Sequence, residues 1–333
     1  MAPLQLGIIG AGLIWIREHQ KALAQLSDVF EPVAFCEING ERRAALASEF
    51  PHAFVTESHA ALLALPNVDV VLVLTPIAMN AQMAAAALRA GKDTIMEKPI
   101  ARSTAEANAL LQTARESGKR LFVAEHMAYR PAEEVVNAAL NSGVIGEPVL
   151  WQCVRHWAVD PDPEQGALRY DSTPWRKSAE FPLGVMFDGG IHTVAMMSNL
   201  FGQPATVSAS GRKLREGYGE YDQVAAFMRY DNGLTGMLSF SQWMPPMQSH
   251  FHIHGTRGIL VFEPRQLIIQ VLGQPDRVIG LPEGDGRMAM WRAIAAAFTG
   301  GADPHYTLKR ALNDVALLEA IDRSIKQSAS QIC

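Results

Sequence analysis

The sequence predicts an α/β protein in two parts: a doubly wound parallel sheet over residues 1–124, then helices with a largely antiparallel sheet over residues 125–333. Three observations carry this. Apolar runs of strand length alternate with helix-period stretches through the first part, the pattern of successive βαβ units. The first run ends in a glycine turn, Gly10-Ala11-Gly12, and two later runs end in Thr75-Pro76 and Glu97-Lys98-Pro99. All three fall on the carboxyl edge, where open parallel sheets bind their ligands. After Pro131 the pattern changes to strands joined by short turns, as antiparallel sheets require.

Taken in order, Leu4 to Ile9 is the first strand, and a helical pattern runs on from the glycine turn through Leu13, Ile16, Ala22 and Leu26. Backbone N–H groups and the positive end of a helix dipole in such a turn suit a pyrophosphate. A complete dinucleotide fingerprint has a third glycine; here that position is Trp15, so the turn alone is a weak signal. Val33 to Glu37 strengthens it. This second buried-type strand ends in an acid roughly 25 positions after Gly12, where a ribose-binding carboxylate belongs. The competing reading of Glu37 is an acid that merely precedes a helix. A carboxylate accepts from the ribose diol and repels a 2′-phosphate, which favours NAD; Arg42 and Arg43 could receive that phosphate and keep NADP open.

Helices are expected over Gly40 to Phe50 and Ser58 to Leu65, followed by the apolar strand Val68 to Leu74. A helix from Ala78 to Ala90 is closed by Gly91. The strand Thr94 to Met96 runs into Glu97-Lys98-Pro99, the helix Thr104 to Glu116 stops at Gly118, and Arg120 to Ala124 is the last strand of the set. Proline cannot continue a helix or donate to an interior ladder, so the strand ends at the lysine. A Lys held at a sheet edge between an acid and a proline is placed for chemistry; the alternative is an exposed Glu97/Lys98 pair of little energetic weight.

In the second part a helix from Ala132 to Asn141 leads to a strand from Val149 to Trp157. The irregular stretch Asp160 to Phe181 is rich in Pro, Asp, Arg and Trp, and long connections of this kind are usually functional. Strand signals recur over 205–210, 223–230, 234–240, 251–253, 258–262 and 267–271, with a hairpin turn at Asp231-Asn232-Gly233. Helices around Ala289 to Phe298 and Leu308 to Ser328 close the chain. Between loop and strands, Asp188 and His192 are four apart and would share a helix face. A carboxylate beside an imidazole is a workable proton-transfer pair; the alternative is an N-capping Asp188 with His192 packed in the core. His250, His252 and His254 alternate on one strand face and, without a companion Cys or acid cluster, read as a polar or interface face rather than a zinc site.

Composition bounds the function. A length of 333 residues suits two domains, and 48% hydrophobic with 19% charged residues is globular. A net charge of -5 with no basic tract argues against a nucleic-acid partner. No stretch is long and apolar enough to span a membrane, and the start lacks the basic and apolar regions of a leader, so a cytoplasmic protein is expected. Cys36, Cys153 and Cys333 form no C-x-x-C and indicate neither a disulfide framework nor a structural zinc site.

With Gly10-x-Gly12, Thr75-Pro76, Ala87-Leu88-Arg89-Ala90-Gly91-Lys92, Glu97-Lys98-Pro99 and the Asp188-to-His192 spacing in that order, the chain resembles the glucose-fructose oxidoreductase/inositol dehydrogenase (Gfo/Idh/MocA) family. Ser142-Gly143-x-Ile145-Gly146-Glu147, Trp175-Arg176 and Gly255-Thr256-x-Gly258 extend the agreement over nearly the whole chain. The resemblance implies an N-terminal Rossmann domain over 1–124 and, over 125–333, a substrate-binding and oligomerisation domain built on an open, mostly antiparallel sheet. It also implies redox chemistry on sugar-like or cyclitol-like alcohols with NAD or NADP. Carried over by position, Lys98, Asp188 and His192 are the catalytic set. Gly10, Gly12, Leu13, Ile14, Glu37, Thr75, Pro76, Glu97, Lys98, Trp175 and Arg176 are the cofactor contacts, and a homodimer or homotetramer through the second sheet is implied.

For the substrate, Lys98, Asp188 and His192 are joined by His126, Tyr129, Arg130 and Trp157, with Arg155 and Arg169 suited to a carboxylate or phosphate; His126, Tyr129 and Arg130 could equally be interdomain packing. Trp15, Asn80 and Phe181-Pro182-Leu183-Gly184 depart from the family pattern, but none removes a catalytic group. The expected activity is hydride transfer between nicotinamide and a secondary alcohol or ketone. The alternatives are a catalytically silent cofactor-binding sensor and a relative that cleaves glycosides through transient oxidation.

Overall fold

The computed structural model describes residues 2–156, 170, 173–177, 181–214, 216–244 and 248–327. The chain divides into two compact units, residues 1–126 with 287–315, and residues 127–286 with 316–333. A single boundary after residue 124 therefore misses the return of 287–315 to the first unit. The reason is a set of aromatic contacts. The helix Arg287–Phe298 buries Trp291 and Ile294 completely. Phe298 meets Phe30 and Phe122 at ring distances of 5.7 and 5.5 Å, and the Arg120 guanidinium lies 4.0 Å over its face.

The first unit holds six parallel strands: β1 Leu4–Ile9, β2 Phe30–Cys36, β3 Phe54–Thr56, β4 Val70–Val73, β5 Asp93–Glu97 and β6 Leu121–Ala124. Their order, β3-β2-β1-β4-β5-β6, is that of a doubly wound dinucleotide-binding sheet. β4 is buried at every position, which is why it reads as an unbroken apolar run. The strand order reverses between β1 and β4, and the crevice of such a sheet opens at the carboxyl ends there. β3 is only three residues long and lies at the sheet edge, too short to announce itself as a strand. The segment after the glycine turn also departs from a plain α-helix: Trp15–His19 is a π-turn that runs into the helix Gln20–Ala24.

The second unit is built on eight strands: β7 Pro148–His156, β8 Thr206–Arg212, β9 Gln223–Arg229, β10 Thr235–Ser241, β11 Gln248–Gly255, β12 Gly258–Phe262, β13 Gln266–Val271 and β14 Arg277–Gly280. Their order is β14-β13-β12-β11-β7-β10-β9-β8, antiparallel throughout except where β7 pairs with β10. Side chains alternate as the strand period demands. Trp151, Cys153, Val224, Leu238, Phe240, Phe251 and Ile253 are buried, and the helix Gly190–Phe201 covers that face, with Phe201 stacked on Trp151 at 5.9 Å. Gln152, Val154, Phe227, Met237, Ser239, His250 and His252 point the other way and are only partly covered. Among the described residues no helix is long and apolar enough to cross a membrane.

Candidate active site

In the first unit, β1, β2, β4 and β5 bring Gly10, Gly12, Glu37, Thr75, Pro76, Glu97 and Lys98 to one sheet edge. Gly10 has a φ of 89°, and a Cβ there would stand 3.0 Å from the Leu74 carbonyl and the Thr75 nitrogen, so only glycine lets the turn lie this close to the end of β4. The chain becomes helical at Leu13 and Ile14. Trp15, in place of a small residue, is fully buried against Phe35 and Phe50 at ring distances of 5.5 and 6.2 Å. It packs behind the turn, in the core.

Glu37 is buried and lies beside the turn: one carboxylate oxygen would be 4.0 Å from a Cβ at Gly12, and the other accepts the Asn39 N–H at 3.0 Å. The side-chain capping of the next helix falls to Asn39, whose side chain accepts from Arg42 N–H at 2.8 Å. Arg42 donates to the Ala11 carbonyl at 3.0 Å and pairs with Glu49 at 2.9 Å. Arg43 donates to the carbonyls of Glu37 and Ile38 and pairs with Glu57 at 3.1 Å. These residues fit a dinucleotide: a turn with no side chain in the way, a helix start behind it, and a buried carboxylate beside the turn at the end of the neighbouring strand.

Lys98 follows β5, with its backbone N–H donating to Glu97 Oε2 at 3.1 Å and a cis bond to Pro99. Asn80, almost fully buried, donates to the Glu97 carbonyl at 3.3 Å and accepts from Thr75 Oγ1 at 2.9 Å, tying the ends of β4 and β5 together. His126 begins the 3₁₀ turn His126–Tyr129 after β6 and is half-buried.

In the second unit, Asp188 and His192 do not share one uninterrupted helix. The pieces are Val185–Asp188 and Gly190–Phe201, joined at Gly189, and the side-chain capping expected of an N-cap is absent at that junction. Asp188 instead accepts from Arg176 Nε at 2.6 Å, and the Arg176 guanidinium lies 4.0 Å over the Trp175 ring. The structure thus joins two candidates, Arg176 and Asp188, that sequence spacing leaves unconnected. His192 is half-buried. Phe181 is buried between Trp175 and Phe187, each at a ring distance of 6.0 Å. Tyr129 is buried and Arg130 half-buried. Burial lowers the Arg130 pKa and the neighbouring Arg155 lowers it further, against Glu133 and Asp285. Trp157 and Arg169 lie outside the described residues.

Two groups escaped the sequence reading. His19 is fully buried with Nε2 2.8 Å from Glu97 Oε1, and Trp291 donates to its Nδ1 at 3.2 Å. A lone histidine inside an apolar helical pattern carries no spacing signal.

Residues 4–125 match the model of an oxidoreductase family with an NAD-binding Rossmann fold, and residues 134–261 match the Gfo/Idh/MocA C-terminal domain. The chain belongs to the Gfo/Idh/MocA family of oxidoreductases. Its first sheet is the family's NAD-binding Rossmann domain. Relatives within the family include an uncharacterized protein of Saccharomyces cerevisiae, YMR315W, 30% identical over 70% of this chain and 65% of its own length. Levoglucosan dehydrogenase of Pseudarthrobacter phenanthrenivorans is 25% identical over 92% of this chain and 82% of its own. The crystal structure of an oxidoreductase from Thermotoga maritima superposes with a TM-score of 0.89 at 25% identity, covering 97% of each chain.

Proposed function

We propose that the protein is an NAD-dependent dehydrogenase that oxidises a secondary alcohol of a sugar-like or cyclitol-like polyhydroxylated molecule, or reduces the corresponding ketone. The observation that carries the reading is the carboxyl edge of the first sheet, where a glycine turn, the Glu37 carboxylate and Lys98 lie on adjoining strand ends. When bound, nicotinamide supplies the site for the hydride. Lys98 donates a hydrogen bond to the substrate oxygen and stabilises negative charge as it develops there. His192 takes the hydroxyl proton at an imidazole nitrogen, and Asp188, itself held by Arg176 at 2.6 Å, orients the site around it.

The choice of NAD over NADP rests on Glu37, and on Arg42 and Arg43 each being engaged with carbonyls and an acid of their own. The likeness to levoglucosan dehydrogenase supports a sugar-like substrate. The open face of the second sheet is proposed to receive a second copy of the chain.

The test is a screen of polyols and sugars with NAD and NADP in the wild type and Lys98→Ala. We expect reduction of NAD in the wild type and a turnover about 10²- to 10³-fold lower in the variant, the usual cost of one electrostatic donor, with NADH binding largely intact. Undiminished turnover in the variant would remove Lys98 from the mechanism. Tight cofactor binding with no absorbance change across the screen would favour a cofactor-binding sensor. Cofactor that is recycled without net reduction while a glycosidic bond is cut would favour the third reading.

A further inference from the structure

The side chain next to the proposed catalytic lysine is held from behind by groups that the chemistry above does not use. Glu97 ends β5 and is buried, with both carboxylate oxygens partnered: Oε2 accepts the Lys98 backbone N–H at 3.1 Å, and Oε1 lies 2.8 Å from His19 Nε2. On the far side of the imidazole, Trp291 Nε1 lies 3.2 Å from Nδ1, with the two ring planes 85° apart. An indole nitrogen only donates. Nδ1 must therefore accept, and the ring's one proton sits on Nε2, aimed at the carboxylate. One tautomer is selected by geometry. The contact is a hydrogen bond from a neutral imidazole to a carboxylate.

We propose that His19 is a positioning residue for Lys98: its Nε2–H orients Glu97, Glu97 fixes the lysine backbone at the end of β5, and Trp291 sets the tautomer that makes this possible. This rests on the reading of Lys98 as the catalytic amine. It also links the turn that faces the cofactor to the catalytic strand end, because His19 closes the π-turn that follows Gly10-Ala11-Gly12. An apolar residue at 19 could fill the same space but could not supply the donor that a buried carboxylate needs.

The test uses the full chain and needs no substrate. Nitrogen-15 shifts of His19 in the wild type should report one neutral tautomer protonated at Nε2, and Trp291→Phe should mix the two. Lys98 reactivity is then read as its acetylation rate against pH, mapped by mass spectrometry. His19→Phe should change that rate about tenfold, the equivalent of one charge-assisted hydrogen bond. His19→Gln should restore it, since its amide donates to Glu97 and its carbonyl can take the indole N–H. An Nδ1–H or doubly protonated ring in the wild type overturns the proposal even if His19→Phe does not fold. So does a Lys98 profile that is the same in wild type and a folded His19→Phe. Failure of Lys98→Ala to lower turnover would instead sink the role of the lysine and leave the reactivity result standing.

Discussion

In the function proposed above Glu37 selects between cofactors by charge, which requires its carboxylate to be held. The Asn39 N–H fixes one oxygen at 3.0 Å and leaves the other beside Gly12. Hydrogen bonds to a charged group contribute about 1.5–3 kcal/mol, so Glu37→Ala should weaken NADH binding by about tenfold to a hundredfold and narrow the preference over NADPH. Paired fluorescence titrations with NADH and NADPH measure this, and an unchanged ratio would take Glu37 out of cofactor selection. The residue stands out in the sequence because it ends an apolar strand roughly 25 positions after the glycine turn. His19 does not, because its meaning depends on Trp291, 272 positions away, and on an acid 78 positions away. Arg176 and Asp188 were each singled out, but their pairing is set by how an irregular stretch folds back, which no local period encodes. Cys36 shows the opposite case: next to Glu37 in sequence, it is buried, and burial with the adjoining acid raises its thiol to about 11, so it is inert packing.

At the level of elements, the strands of the first sheet were readable because burial on both faces forces apolar runs. Short edge strands without a buried residue, Phe54–Thr56 and Arg277–Gly280, carry no such run and give no strand signal, whereas the edge strands Leu121–Ala124 and Thr206–Arg212 do. The helix pieces around Asp188 show a second limit. Leu183 has a φ of 59°, a conformation non-glycine residues seldom adopt, and Gly184 follows with a φ of 51°. A Cβ at Gly184 would lie 2.3 Å from the Tyr218 carbonyl oxygen, which is backbone and cannot swing away. Phe181 to Gly184, a departure from the family pattern in sequence, is thus a tight approach of two chain segments that delivers Asp188 to Arg176. Gly184→Ala should lose at least about 1–3 kcal/mol from backbone strain alone, with the clash added to it. Denaturant unfolding should show the loss as a lower midpoint. A midpoint equal to wild type would mean that the segment relaxes freely and that Asp188 is not held by it.

For the molecule as a whole, which sheet a helix joins is decided by long-range packing. Helical periodicity placed Ala289 to Phe298 correctly as an element but could not reveal that Trp291 and Phe298 pack on Phe30, so the return of 287–315 to the first unit was missed. The same limit applies to the outward face of the second sheet. Gln152, Val154, Phe227, Met237, Ser239, His250 and His252 carry no Asp, Glu, Lys or Arg among them, although the chain has a net charge of -5. The charged members of the same alternation, Arg212 and Arg229, lie on β8 and β9 at one side of the sheet, with the Arg229 guanidinium 5.6 Å over the Phe227 ring, so two copies of the central patch can meet about a two-fold axis with those guanidinium groups at its margin. Phe227→Asp or Met237→Glu would place two carboxylates against each other there. Each should lower the mass in light scattering from that of an oligomer to that of a monomer while NADH binding persists; a wild type that is monomeric at tens of micromolar, roughly the range where a standard interface is populated, would refute the assembly. Acid should act in the same direction. Burial lowers the His156 pKa, helped by His250. His252 is lowered by burial, then by His250 and His254, with Glu263 opposing. Histidines with depressed pKa values are neutral above the ordinary value of about 6.5 and take up protons only below it, so charge enters the face as pH falls and never as it rises. The oligomer should therefore hold from neutral to alkaline pH and weaken reversibly toward pH of about 5; mass that is constant through that window would show that the histidine row lies outside the interface.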